Sequence, residues 1–178
     1  GFLGCNQPAS TDPKEDEPQD TPAENTWFQV SLAHWSLHKA TQSGELSIRD
    51  FPRVAKDSFG IMGVEYVSQL FDEDEKTEAY LTELKQYTDE IGVKNVLIMI
   101  DNEGDMGVTD ATARQEAVDK HKVWVDRAAI LGCTSIRVNA HGDEDPNTRR
   151  AALVNALSQL GEYAASKNIN IIIENHGG

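Results

Sequence analysis

From about residue 27 onward the chain alternates between two hydrophobic rhythms. Short runs of apolar and β-branched residues fall at 28–33, 64–70, 95–100, 135–140 and 169–174, lengths that suit strands rather than helices. Between them, apolar positions recur three and four apart. One set is Leu81, Leu84, Thr88 and Ile91; the next is Ala117, His121, Trp124, Val125 and Ala128; the last is Leu153, Ala156, Leu157, Leu160 and Ala164. This spacing predicts helices with one buried face. The punctuation agrees. Asp50 is placed to cap a first helix, with Pro52 in its opening turn, where a missing N–H costs least. Gly60, Gly92 and Gly132 stand where helices should stop, and Pro146 opens the fourth helix.

The resulting order, strand and helix in strict alternation, predicts right-handed crossovers and a parallel sheet. Two architectures accommodate it. A five-stranded doubly wound sheet is complete at about this size, whereas a (β/α)8 barrel needs eight units and typically about 250 residues. The last stretch, INIIIENHGG at 169–178, weighs against the first. A doubly wound sheet usually closes with a helix over its final strand. Leaving Ile171 to Ile173 uncovered would forfeit roughly 1.5–3 kcal/mol per side chain. The expectation is therefore an α/β fold: an incomplete (β/α)8 TIM barrel of about four and a half βα units with parallel strands. It would span 27–178, behind a separate segment at 1–26.

A hydrophobic content of 39% sits within the range of ordinary globular chains. The formal net charge of −14 disfavours a nucleic-acid partner. Part of that charge is local, since residues 1–26 carry six acids against Lys14 alone. That segment is also rich in Pro, Ser and Thr, a composition that stays extended and disordered. Its opening Phe2-Leu3-Gly4-Cys5 resembles the lipobox of bacterial lipoproteins, although Phe2 departs from the aliphatic residue usual there. The resemblance implies a lipid on Cys5, membrane attachment through it and a place in the cell envelope, with 6–26 as the tether. Without it, a cytoplasmic location is the default. No run approaches the roughly 18 apolar residues of a membrane span. Cys133, next to Gly132, reads as a small buried apolar residue.

In parallel α/β proteins function collects at the C-terminal ends of strands. Those ends carry Ser31, His34, Trp35 and His38; Glu65 and Gln69; Asp101, Asn102 and Glu103; Arg137, Asn139 and His141; and Glu174, Asn175 and His176. Every strand delivers polar groups to one rim, as a polyol-binding mouth requires. Several have two readings. Trp35 is either a sugar-stacking platform or a lid over the core. Glu65 is a substrate group or a partner in an internal salt bridge, and Arg137 grips an anion or neutralises Glu65. DNEGD at 101–105 has a cation-binding composition without the spacing of a calcium loop, so a solvated turn is equally consistent. His121 falls on the apolar stripe of its helix and reads as a core histidine.

Taken together, HWSLHK, GVEYVSQLF, NVLIMIDNEG, HKVWVDRAAILGCTSIRVNAHG and IIIENHGG resemble the sugar phosphate isomerase/epimerase family, whose fold is the xylose-isomerase-like TIM barrel. The resemblance runs from Trp27 to Gly178. It implies a divalent metal, Mn²⁺, Mg²⁺, Co²⁺ or Zn²⁺, held by carboxylates and a histidine from the last four barrel strands. Glu174 matches the first of these ligands; the others would lie beyond Gly178. It further implies a sugar substrate, an enediolate intermediate, and Glu174 as both metal ligand and acid/base. His34, Glu65, Arg137, Asn139 and His176 would orient the substrate. One carboxylate cannot hold a catalytic cation, so this stretch alone is expected to be inactive. A noncatalytic carbohydrate-binding barrel is the alternative. A metal-dependent endonuclease on the same fold is disfavoured by the acidic charge.

Overall fold

The computed structural model describes residues 28–174 and 176. The acidic segment 1–26 and the lipid site on Cys5 lie outside the described residues. Five strands form one sheet in the order β1-β2-β3-β4-β5: β1 (Leu32–Ala33), β2 (Gly63–Val67), β3 (Lys94–Met99), β4 (Ser135–Asn139) and β5 (Asn170–Glu174). Every neighbouring pair is parallel. Sequential strand order with helical crossovers is the arrangement of a βα barrel, not of a doubly wound sheet, whose order reverses at a switch point. The sheet is open, an incomplete barrel.

Five helices are described: α1 (His38–Gln42), α2 (Phe51–Phe59), α3 (Glu78–Ile91), α4 (Ala111–Leu131) and α5 (Pro146–Ser166). Gly60, Gly92 and Gly132 end α2, α3 and α4 in the left-handed conformation, with φ of 66°, 74° and 77°, where a Cβ would be strained. Pro52 and Pro146 occupy first turns as expected. Asp50 stands at the N-terminus of α2, but its carboxylate does not cap the helix. It accepts instead from the Ser47 hydroxyl at 2.7 Å, whose oxygen accepts the Asp50 N–H at 3.0 Å. The first strand is shorter than its apolar run. Of 28–33 only Leu32–Ala33 pairs with β2, and the chain then turns into a 3-10 helix over His34–Leu37.

Alternation along the strands sends two residue sets to two faces. Val64, Tyr66, Ile98, Ile136 and Val138 point outward into the main core, against Leu81, Leu84, Trp124, Val125 and Leu160 of the helices. Val67, Leu97 and Met99 form a second cluster on the inner face, joined by Ala33. The pairing of β2 with β3 slips between Val64 and Glu65, so that Asn95 opposes Val64 and Leu97 opposes Glu65. The slip leaves Asn95 on the outer face, buried and satisfied. Its amide nitrogen donates to Thr88 Oγ1 (2.8 Å) and to the Leu131 carbonyl (2.9 Å), while Tyr66 donates to its oxygen (2.9 Å). A buried amide with its bonds made is tolerated; unpaired, it would cost about 1–3 kcal/mol.

Candidate active site

The strand register decides which polar residues meet. Met99 opposes Arg137, and Asn139 opposes Glu174, so Arg137, Asn139 and Glu174 share the inward face at the C-terminal rim. Asp101 joins them from two residues beyond Met99. Ser68 fixes that turn: its hydroxyl accepts the Asp101 N–H at 2.9 Å and donates to the Asp101 carbonyl at 3.1 Å.

Arg137 is the centre of this group. Its Nη1 donates to Asp101 Oδ1 at 3.0 Å and to Asn139 Oδ1 at 2.6 Å, and Asn139 Nδ2 donates to the same Asp101 oxygen at 2.7 Å. Its Nε lies 2.7 Å from Glu174 Oε2, an ion pair by distance without the alignment of a hydrogen bond. The Arg137 side chain is 9% exposed and that of Glu174 45%. A buried guanidinium is thus held between two carboxylates, one of which stays open to solvent. Removing either partner would strand a buried charge.

The group lines a cavity of about 600 Å³ bounded also by Trp35, Glu103, His121 and His176. Trp35 is 43% exposed and lies flat on His38, with ring centroids 4.4 Å apart and planes within 9°. Glu103 is anchored by the buried Trp124, whose Nε1 donates to it at 2.7 Å. Asn102 takes a left-handed φ of 63°, a conformation that Asn tolerates better than most residues, and donates to Gln69 at 2.6 Å. His121 is a core histidine as its helix position indicated. Its Nδ1 bonds the Ala117 carbonyl at 2.7 Å, and burial lowers its pKa. One edge of it also reaches the cavity wall. The His176 carbonyl accepts from His141 Nε2 at 2.9 Å, with the two rings 5.9 Å apart.

Two residues expected at the substrate are elsewhere. His34 is fully buried, stacked on Phe51 at 4.3 Å, with Nε2 bonded to Thr41 Oγ1 at 2.9 Å. Burial pushes its pKa down to about 4. The 3-10 turn at the end of β1 rotates it away from the rim and into the helix layer. Glu65 faces the barrel interior below the cavity and accepts the Ser31 hydroxyl; it is neither a cavity-lining residue nor the partner of Arg137. Asp101 takes that partner role. Its place at a strand tip was readable, but pairing with Arg137, 36 residues on, depends on register.

A mouth of polar side chains stands at the C-terminal rim of an open parallel βα sheet, the end of a barrel where functional groups collect. The chain belongs to the family of xylose isomerase-like TIM barrels, whose sequence profile matches residues 52–178. Among solved structures, a protein of Anabaena variabilis described as a sugar phosphate isomerase/epimerase superposes with a TM-score of 0.62 at 22% identity, covering 85% of this chain and 55% of its own. A D-psicose 3-epimerase superposes with a TM-score of 0.63 at 14% identity, over 82% of this chain and 52% of that one. The 3-keto-D-glucoside 4-epimerase of E. coli gives a TM-score of 0.58 at 17% identity, over 71% and 50%. At such identities the likeness is one of fold. The chain spans about half the length of these structures. No curated protein matches its sequence significantly.

The family resemblance implies a divalent cation, and the residues present can be tested against it. Among the described residues, no three His, Cys, Asp or Glu side chains converge on one point. Two rim carboxylates, Asp101 and Glu174, share Arg137, and a guanidinium at 2.7 Å competes with a cation for Glu174. A divalent ion needs several oxygen or nitrogen ligands in fixed geometry. The described residues do not fit one by themselves.

Proposed function

We propose that this chain supplies one half of the active-site rim of a sugar isomerase or epimerase, and that Glu174 moves the proton on the carbon beside a carbonyl. The observation that carries this reading is a buried guanidinium braced by Asp101 and Asn139 beside a carboxylate that is half open to the cavity. Abstracting such a proton produces an enediolate, whose developing negative charge needs a positive or hydrogen-bonding partner already in place. Arg137 and Asn139 are held where they can donate hydrogen bonds to the enediolate oxygen without rearrangement. Glu174 is the exposed member, free to take a proton and return it. Trp35 offers an aromatic face to the apolar side of a sugar ring. The epimerase names of the structural relatives agree with this chemistry.

The test is deuterium uptake from D2O into a ketose, followed by NMR, with the longest gene product that contains this chain. Glu174→Gln keeps the size and one oxygen but loses the proton-accepting charge. It should lower uptake by at least about 100-fold with the circular dichroism spectrum unchanged. Sugar binding without exchange in the unsubstituted protein would make this a carbohydrate-binding barrel and overturn the reading.

A further inference from the structure

We infer that the part of the substrate held by this half of the rim is an uncharged polyol, and that a phosphate group is excluded from it. This inference rests on the sugar reading above and specifies its substrate class. Two independent features support it, one in the cavity and one at the openings of α4 and α5. The first is charge. Among the described residues, Asp101, Glu103, Asp105 and Glu174 line the cavity against a single guanidinium, that of Arg137, and no lysine. Arg137 is committed on its Nη1 and Nε sides to two of those carboxylates. It therefore acts as a neutralised hydrogen-bond donor, and a dianion arriving beside it meets net repulsion in a partly desolvated site.

The second feature is the state of the helix N-termini. At the rim of a βα barrel the exposed N–H groups that open a helix are the natural cradle for phosphate. In α4 and α5 some of those groups already have carboxylate partners. Asp110 Oδ1 accepts from the Ala113 N–H of α4 at 2.8 Å. Asp145 Oδ1 accepts from the Asn147 and Thr148 N–H groups of α5 at 3.1 and 2.8 Å, and those bonds hold its pKa below the ordinary carboxylate value. Between them, Asp143 Oδ2 takes the Thr109 N–H at 2.8 Å. A phosphate would have to displace an anion already bonded there. Neutral hydroxyls face no such cost, and the same carboxylates accept their hydrogen bonds.

The experiment titrates the longest gene product that contains this chain with D-fructose, D-fructose 6-phosphate and inorganic phosphate at low ionic strength. It follows the side-chain N–H resonances of Arg137 and Asn139 by ¹⁵N NMR. D-fructose is expected to shift both signals. The two phosphates should bind the same residues at least about tenfold more weakly, and Asp105→Asn should narrow that gap by weakening the repulsion. Phosphate or the sugar phosphate binding as tightly as the free sugar at these resonances overturns the exclusion while leaving the sugar reading intact. If none of the three ligands moves either signal, the sugar reading itself fails, and this inference fails with it.

Discussion

Acid should weaken this fold through His34, by an amount the structure specifies. The ring is fully buried, and burial lowers its pKa from 6.5 to about 4. Between those two values the unfolded chain binds a proton at this position that the native state refuses. The contribution to stability is therefore fully present above pH 6.5 and is lost as pH falls toward 4. At pH 5 the unfolded histidine is almost wholly protonated and the native one roughly a tenth so. The loss between pH 7 and pH 5 comes to about 2 kcal/mol, and the full shift to about 3 kcal/mol. His121, also lowered by burial, acts in the same direction, so the wild-type profile alone does not isolate His34. The comparison is with His34→Phe, which keeps the stack on Phe51 but cannot titrate. It should cost about 1 kcal/mol at pH 7, because Thr41 loses its partner. Urea unfolding of both proteins at pH 7 and pH 5 should then show the wild type losing about 2 kcal/mol more than the variant. Equal losses would refute the reasoning and return His34 to the solvent-accessible rim.

Two further substitutions probe the rim. Arg137→Met removes the cation between Asp101 and Glu174 and should destabilise by about 3 kcal/mol in urea unfolding, at the low end for a broken buried pair because Glu174 is half exposed. Adding Asp101→Asn should recover part of that loss, and a cost below about 1 kcal/mol would show that the clamp is not formed in solution. At Gly142 an added Cβ would sit 2.2 Å from the Gly107 backbone, where the loops after β3 and β4 bridge in parallel. Gly142→Ala should therefore lower the Tm, at a cost of about 2 kcal/mol, and speed exchange at the Gly107 and Asp143 amides; an unchanged exchange pattern would mean the loops are not joined.

Much of this architecture follows from local physics that a sequence displays. Short apolar runs and a spacing near 3.6 separate strands from helices. Gly60, Gly92 and Gly132 mark helix ends because only a residue without a Cβ takes φ near +70° at no cost. The alternation of elements dictates parallel pairing. The rim position of Arg137, Asn139 and Glu174 also follows from sequence, since strand tips are where side chains leave the sheet toward the cavity. Tertiary structure alone decided which of these touch. The ion pairs of Arg137 join positions 36 and 37 residues apart and exist because the β3–β4–β5 register brings Met99, Arg137 and Ile172 abreast. A shift of one residue would turn the arginine toward the helices. His34 shows the opposite case: its place after a strand suggested the rim, yet a short 3-10 turn sends it into the core. Local pattern determines what a segment becomes, while contact between distant segments is settled by the collective packing of the sheet.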